Sequence, residues 1–188
     1  MRRRLASAPF IALVLGAIIA ACVGGPVAAP SSSSSSSPHA GDRAPTGPTE
    51  DARVVRVVDG DTLIVDRGSG DERLRYIGID APESVKPDTP VEFMGREAAL
   101  ANAALVEGRT VVLERDVSDR DRFGRLLRYV WLREGSDWRL VNLELVAQGY
   151  AQAVSFPPDV RRQDDLRDAE ASARAAGAGL WGPPTPAP

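Results

Sequence analysis

The folded part of this chain has neither cysteine nor histidine. The sequence contains one cysteine, Cys22, and one histidine, His39, and both lie before residue 51. A Ser-His-Asp triad, a Cys-His pair and a zinc site with Cys or His ligands each need at least one of these side chains. Residues 51–188 can host none of these sites, so any catalysis there must rely on carboxylates, arginines and hard metal ions.

The N-terminus predicts an exported protein. Three arginines precede an apolar stretch from Pro9 to Ala21, which is the arrangement of a secretory signal peptide and is too short for a comfortable membrane span. The residues Ile19-Ala20-Ala21-Cys22 resemble the bacterial lipobox, in which a diacylglycerol is attached to the cysteine. We therefore expect a signal peptide over 1–21 and a membrane anchor through a lipid on Cys22. The alternative is a plain secretory signal and a secreted protein.

The next segment predicts a flexible linker. Residues 22–50 are dominated by Ala, Gly, Pro and Ser, including seven consecutive serines at 31–37, and such a segment cannot bury enough apolar surface to order itself. The organisation that follows is a linker over 22–50, one folded domain over 51–182 and a tail over 183–188. Residues 51–188 contain 19 basic and 24 acidic residues, a formal charge of −5.

The sequence pattern of the domain predicts a β-barrel with helices. Strand-forming runs at 52–58 and 62–66 flank a tight turn at Asp59-Gly60, and a third strand fits Glu72 to Ile79. A helical pattern covers 93–108, and two more strands fit 110–115 and 126–132. Five strands with one helix between the third and fourth are typical of a five-stranded OB-fold barrel, which is mainly β with α.

Two further helices complete the predicted fold of five strands and three helices. The run VNLELVAQG predicts a short helix with Asn142 as a possible N-cap and Gly149 as its stop. The last helix is expected to begin near Pro157 and Pro158 and to end at about Ala176.

Several separated motifs together resemble the staphylococcal nuclease (thermonuclease, micrococcal nuclease) family. The motifs are VVDGDT, LRYIGIDAPE, DRDRFGR with LLRYVWL, and VNLELVAQGYA, and the resemblance covers about residues 52–182. It implies an OB-fold and a calcium-dependent hydrolase of DNA or RNA that cleaves the 5′ P–O bond and leaves 3′-phosphate ends. We expect a monomer with a nucleic-acid substrate.

The resemblance also implies a calcium site. Asp61, which leaves the first hairpin, and Asp80, which ends the third predicted strand, are its carboxylate ligands, and Ala81 contributes its backbone carbonyl. Calcium prefers hard oxygen ligands of these kinds. In this interpretation Asp59 and Gly60 make the turn, while Asp61 holds the metal.

Three residues match the catalytic positions of the family. Glu83 would accept a proton from the attacking water or orient it. Arg75 and Arg125 would donate paired hydrogen bonds to the negative charge that builds on the phosphoryl oxygens. An isolated DGDT or a single arginine in a charged loop is more often structural, so the prediction depends on the whole set.

Two features depart from the family pattern. The segment after GYA offers only Phe156 for stacking on a base, and the acidic charge predicts few phosphate contacts and a strong need for the cation. The leading alternative is a non-catalytic OB-fold lipoprotein that binds nucleic acid or protein, and a third possibility is a lipoprotein scaffold with no nucleic-acid partner.

Overall fold

The structure, a computed structural model, describes residues 44–84 and 91–183. The predicted signal peptide, Cys22 and most of the predicted linker lie outside the described residues, as do residues 85–90 and 184–188. Within the two described ranges, every helix is too short or too polar to cross a membrane.

The domain contains eight strands and three α-helices within the described ranges. The strands are β1 (Thr49–Asp59), β2 (Thr62–Asp66), β3 (Asp71–Tyr76), β4 (Ile79–Asp80), β5 (Thr110–Glu114), β6 (Leu126–Glu134), β7 (Asp137–Leu140) and β8 (Gln152–Ala153). The helices are α1 (Gly95–Val106), α2 (Val141–Ala147) and α3 (Gln163–Ala176), followed by a 3₁₀ turn at Gly179–Trp181.

Five of the strands close into a barrel. They hydrogen-bond in the order β3-β2-β1-β5-β6, and a parallel pairing between β3 and β6, with Leu74 opposite Leu126, joins the two ends. Strand β7 extends the sheet from β6, and β4 pairs separately with β8. The predicted five-stranded OB-fold with three helices is therefore confirmed.

The interior of the barrel is apolar because alternate residues of each strand point inward. In β3, for example, Leu74 and Tyr76 are buried while Asp71 and Arg73 are exposed. The largest fully buried side chains include Trp131, Tyr76, Tyr129, Leu63, Leu74, Leu113 and Leu126. This packed interior fixes the strand ends, and the strand ends carry the site residues.

The prediction of one continuous third strand from Glu72 to Ile79 is wrong. The strand stops at Tyr76, whose N–H donates to Asp61 O at 3.0 Å, and Gly78 then adopts a left-handed conformation with φ +79°. A Cβ at Gly78 would lie 2.5 Å from Leu166 Cδ1, so this turn needs glycine for space as well as conformation. Asp80 consequently belongs to the separate strand β4.

The predicted capping role of Asn142 is also wrong. Asn142 is fully buried, and its Oδ1 accepts from Val130 N at 2.9 Å while its Nδ2 donates to Ile77 O at 2.9 Å. The N-cap position of α2 is Leu140, which makes no side-chain capping bond. Asn142 satisfies buried backbone groups of the barrel instead, which explains a polar side chain at that depth.

The last helix begins at Gln163 rather than near Pro157 and Pro158. Asp159 N donates to Phe156 O at 3.0 Å, and Asp159 Oδ1 accepts from Val117 N and Ser118 N at 3.0 and 2.8 Å. These bonds hold the chain before α3 as a loop against the segment between β5 and β6.

Candidate active site

A polar cavity of ≈ 310 Å³ lies at the end of the first hairpin and is called the acidic cavity here. Its lining residues are Asp59, Asp61, Thr62, Arg73, Arg75, Asp80, Ala81, Glu83, Glu92 and Arg125. All six residues that the sequence assigned to calcium and catalysis therefore line one cavity.

Asp61 is the most enclosed carboxylate of the acidic cavity. Its side chain is 2% exposed, its Oδ2 accepts from Ala81 N at 2.7 Å, and its Oδ1 accepts from the Thr62 hydroxyl at 3.1 Å. Asp59 Oδ1 accepts from Asp61 N at 3.1 Å. Asp59 thus stabilises the turn, as predicted, and both aspartates line the cavity, while metal binding by Asp61 stays a prediction.

Arg75 bridges the two predicted metal-binding carboxylates. Its Nη1 contacts Asp61 Oδ1, and its Nη2 donates to Asp80 Oδ1 at 2.6 Å and to Ile79 O at 3.3 Å. The side chain of Asp80 is 59% exposed, whereas that of Asp61 is buried. One guanidinium therefore bridges both carboxylates and offsets only one of their two negative charges.

The backbone of Glu83 is anchored next to the cavity. Glu83 N donates to Glu92 Oε2 at 3.0 Å, and Glu92 N donates to Glu83 O at 3.0 Å. The first residue of α1, Gly95, packs so closely that a Cβ there would lie 2.6 Å from Glu83 O. These contacts fix the position from which the Glu83 side chain enters the cavity.

Arg125 reaches the cavity from the loop between β5 and β6, where Asp121 holds it. Asp121 accepts from Arg125 Nε at 2.6 Å, from Arg125 N at 3.0 Å and from Phe123 N at 2.8 Å. Burial alone would raise the pKa of Asp121, but these hydrogen bonds and the charge of Arg125 hold that pKa below its ordinary value. Asp121 therefore stays ionised and fixes the arginine.

The electrostatic balance of the acidic cavity favours a cation. Its lining has five acidic residues and three arginines, so it is net acidic when its carboxylates are ionised. Burial raises the pKa of Asp59 above its ordinary value, and the hydrogen bond from Thr62 and the charges of Arg75 and Arg73 offset only part of that effect.

The donor chemistry at Asp61, Asp80 and Ala81 fits calcium. Carboxylate and backbone carbonyl oxygens are ligands that this ion accepts, and it tolerates water as the remainder of its six to eight ligands. Within residues 44–84 and 91–183, no group of three or more acidic side chains is arranged as metal ligands. A calcium ion would therefore need solvent or substrate oxygens beside those of the protein.

A second cavity of ≈ 630 Å³ shares Arg75 and Arg125 with the first and is called the aromatic cavity here. Its lining includes Phe123 and Phe156, whose exposed fractions are 68% and 60%. The guanidinium carbons of Arg122 and Arg125 lie 4.7 and 5.6 Å from the centroid of the Phe123 ring. Exposed rings beside arginines are suited to stacking with nucleic-acid bases.

Sequence reasoning missed several lining residues. Arg73 lies two positions before Arg75 on β3, so strand alternation could have placed both on one face. Phe123, an aromatic residue within a charged loop, was also a usable signal. Glu92 follows residues 85–90 and has no local pattern that marks it; only its hydrogen bonds with Glu83 reveal its place.

Comparisons with known proteins identify the relatives of this chain. A family profile described as staphylococcal nuclease homologue matches residues 73–183. A thermonuclease from Staphylococcus hyicus is 38% identical over 129 residues, which cover 69% of this chain and 74% of that protein. A thermonuclease from Staphylococcus intermedius is 38% identical over 128 residues, covering 68% and 74%. The endonuclease YncB from Bacillus subtilis (strain 168) is 34% identical over 128 residues, covering 67% and 59%.

Proposed function

Because the chain belongs to the staphylococcal nuclease family, we propose that it is an exported calcium-dependent nuclease. Its substrate is DNA, RNA or both, and its products carry 3′-phosphate ends. The observation that carries the proposal is that Asp61, Arg75, Asp80, Glu83 and Arg125 line one cavity, although they come from three separate parts of the chain.

Water attacks the phosphorus of a phosphodiester, and the bond from phosphorus to the 5′ oxygen breaks. The products are a 3′-phosphate and a 5′-hydroxyl. Glu83 orients the water or accepts its proton, and its anchored backbone sets the direction of approach. Arg125, fixed by Asp121, donates to the phosphoryl oxygens, where negative charge grows during attack.

Calcium would be held by Asp61, Asp80 and the carbonyl of Ala81, and when bound it supplies positive charge next to the phosphoryl oxygens. Arg75 ion-pairs with both of these carboxylates. With Asp61 and Asp80 engaged as metal ligands, the guanidinium of Arg75 would be free to donate to the phosphate. This exchange accounts for a phosphate-binding arginine so close to the metal ligands.

Cleavage of a fluorescence-quenched single-stranded DNA by purified residues 44–188 tests the proposal. We expect cleavage with calcium, none with a chelator, and a loss of several orders of magnitude in Glu83→Gln. Glu97→Gln is the matched control, because Glu97 is exposed on α1 and lies outside the acidic cavity. Mass spectrometry of the products distinguishes 3′-phosphate from 5′-phosphate ends.

A folded protein that binds the DNA but does not cleave it at any calcium concentration would favour the non-catalytic OB-fold alternative. Cleavage that persists in chelator would remove calcium from the proposal but leave a nuclease. Equal activity of Glu83→Gln and Glu97→Gln would show that Glu83 has no catalytic role.

We also propose that the protein is anchored to the cell membrane through a lipid on Cys22 and acts as a monomer. The support for the lipid anchor is the arrangement of residues 1–22. Metabolic labelling with a fatty-acid analogue is expected to label the full chain and not Cys22→Ser. A Cys22→Ser protein that fractionates with membranes as the original does would contradict the lipid anchor. Sedimentation analysis tests the monomer.

A further inference from the structure

Arg73 is a cation of the acidic cavity to which no role has been assigned. It lies on β3, its side chain is exposed, and it lines the cavity beside Arg75 and Asp59. Among the residues that the structure describes, none makes a hydrogen bond or an ion pair with its side chain.

The other two arginines of the acidic cavity are occupied differently. Arg75 contacts Asp61 and Asp80, and Arg125 is paired with Asp121. An exposed guanidinium without an acidic partner keeps all five donors for an incoming anion. In a cavity suited to a phosphodiester, that anion is a phosphate oxygen of the substrate.

The strand geometry places Arg73 and Arg75 on the same face of β3. Residues two apart on an antiparallel strand point to the same face and are separated by about 6.8 Å. Arg73 therefore lies one such step from Arg75, on the scale that separates neighbouring phosphates of an extended single strand. The distance therefore suits a phosphate next to the one proposed for Arg75.

From Arg73, a row of side chains also runs across the sheet, roughly perpendicular to the strand direction that separates Arg73 from Arg75. Ile64 of β2 is the register partner of both Arg73 on β3 and Arg56 on β1. Arg56 is also exposed and lies outside the acidic cavity. Arg73 and Arg56 lie at the two ends of this row. They form a basic surface for a substrate chain that extends out of the cavity, even though the domain as a whole is acidic.

We propose that Arg73 binds the phosphate next to the scissile phosphate and thereby favours polynucleotides over substrates with a single phosphodiester. This inference rests on the proposed nuclease function. Arg73 is a substrate-binding residue, so its removal weakens ground-state binding more than it slows the chemical step.

The decisive experiment measures DNA binding in the Glu83→Gln protein, in which cleavage is suppressed. The probe is a fluorescent single-stranded oligothymidylate, and its Kd is followed by anisotropy from 50 to 200 mM salt. Each phosphate contact on a single strand contributes about 0.7 to the slope of log K against log salt. Adding Arg73→Ala is expected to reduce the slope by about 0.7 and to weaken binding by about three- to tenfold.

Two matched variants complete the binding experiment. Arg73→Lys keeps the charge and is expected to retain the slope. Arg167→Ala removes an exposed arginine of α3, which lies outside both cavities and has no ion-pair partner in the described ranges, and it is expected to change neither slope nor Kd. An unchanged slope in Arg73→Ala would overturn the inference.

A cleavage comparison separates this inference from the proposed function. In a background with Glu83 intact, Arg73→Ala is expected to raise KM for an oligonucleotide much more than for a dinucleoside monophosphate, which has no neighbouring phosphate. Equal losses on both substrates would overturn the inference while leaving the nuclease intact. If the folded protein binds DNA with the predicted slope change but never cleaves it, the proposed function fails and the phosphate contact of Arg73 stands.

Discussion

Asp61 and Arg75 form an ion pair within the candidate active site, although one is a proposed metal ligand and the other a proposed phosphate ligand. The side chain of Asp61 is 2% exposed and that of Arg75 16%. The pairing follows from the barrel register, because Thr62, the neighbour of Asp61, lies opposite Arg75 across β2 and β3. The arginine thus compensates a buried negative charge that the metal would otherwise have to neutralise.

Replacement of Arg75 is expected to make stability depend on calcium. Arg75→Gln leaves Asp61 buried without its cation, so the metal-free protein should lose about 3 kcal/mol of unfolding free energy. Because no cation then competes for Asp61 and Asp80, calcium should stabilise Arg75→Gln more than the original protein. Urea denaturation with calcium and with chelator measures both effects, and Arg167→Gln is the control. The same calcium increment in all three proteins would show that Arg75 and calcium do not compete.

Asp121 is expected to act on catalysis through Arg125. Asp121→Asn removes the charge that holds the guanidinium, and we expect kcat/KM to fall on the order of tenfold. In an Arg125→Ala background the same substitution should cost little more, because the residue that it positions is already gone. Steady-state kinetics of the four proteins make a double-mutant cycle. Additive losses would mean that Asp121 contributes independently of Arg125.

The aromatic cavity is expected to hold bases of the substrate. Phe156→Ala and Phe123→Ala should each weaken oligonucleotide binding by about tenfold, since base stacking on a ring contributes about 1–3 kcal/mol per base. Leu100→Ala, at an apolar residue of α1 that is 70% exposed, is the control for loss of an exposed apolar side chain. Anisotropy measurements in the Glu83→Gln background give the comparison, and wild-type affinity in both phenylalanine variants would exclude stacking in this cavity.

Glu114 anchors the chain in front of β1 to the barrel. Its side chain is fully buried and accepts from Thr46 N at 2.9 Å, Gly47 N at 2.8 Å, Trp131 Nε1 at 2.8 Å and Arg162 Nη2 at 3.3 Å. Burial alone would raise the pKa of Glu114, but these donors together lower it below its ordinary value of 4.5.

The stability contributed by Glu114 should therefore be lost in acid. A carboxylate whose folded-state pKa is lowered contributes its full stabilisation above pH 4.5 and loses it as the pH falls through the folded pKa. Glu114→Gln should cost about 2 kcal/mol at pH 7, and this difference from the original protein should shrink below pH 4.5. Urea denaturation from pH 7 to pH 3 measures the trend. A difference that stays constant with pH would show that the charge of Glu114 is not the stabilising feature.

Much of the fold could be predicted from local patterns. The Asp59-Gly60 turn and the alternating runs on either side of it identify β1 and β2, and helical spacing identifies α1. The errors occur where a distant contact overrides a local preference. Strand β3 ends before the left-handed turn at Gly78, where Leu166 leaves no space for a side chain, and Asn142 satisfies Val130 and Ile77 rather than capping α2.

The sequence by itself determined which chemistry is available. Without Cys or His after residue 50, sites that need these side chains are excluded and carboxylates and guanidinium groups dominate the charged groups, and the hairpin places Asp61 where its strand resumes. Tertiary structure alone decided which of these groups meet. Closure of the barrel between β3 and β6 brings Arg125 into the same cavity as Asp61, although the two residues are 64 positions apart in the sequence. It also decided that Arg75 is paired while Arg73 has no partner in the described ranges, because ion pairing depends on distances across strands and loops that no local pattern encodes.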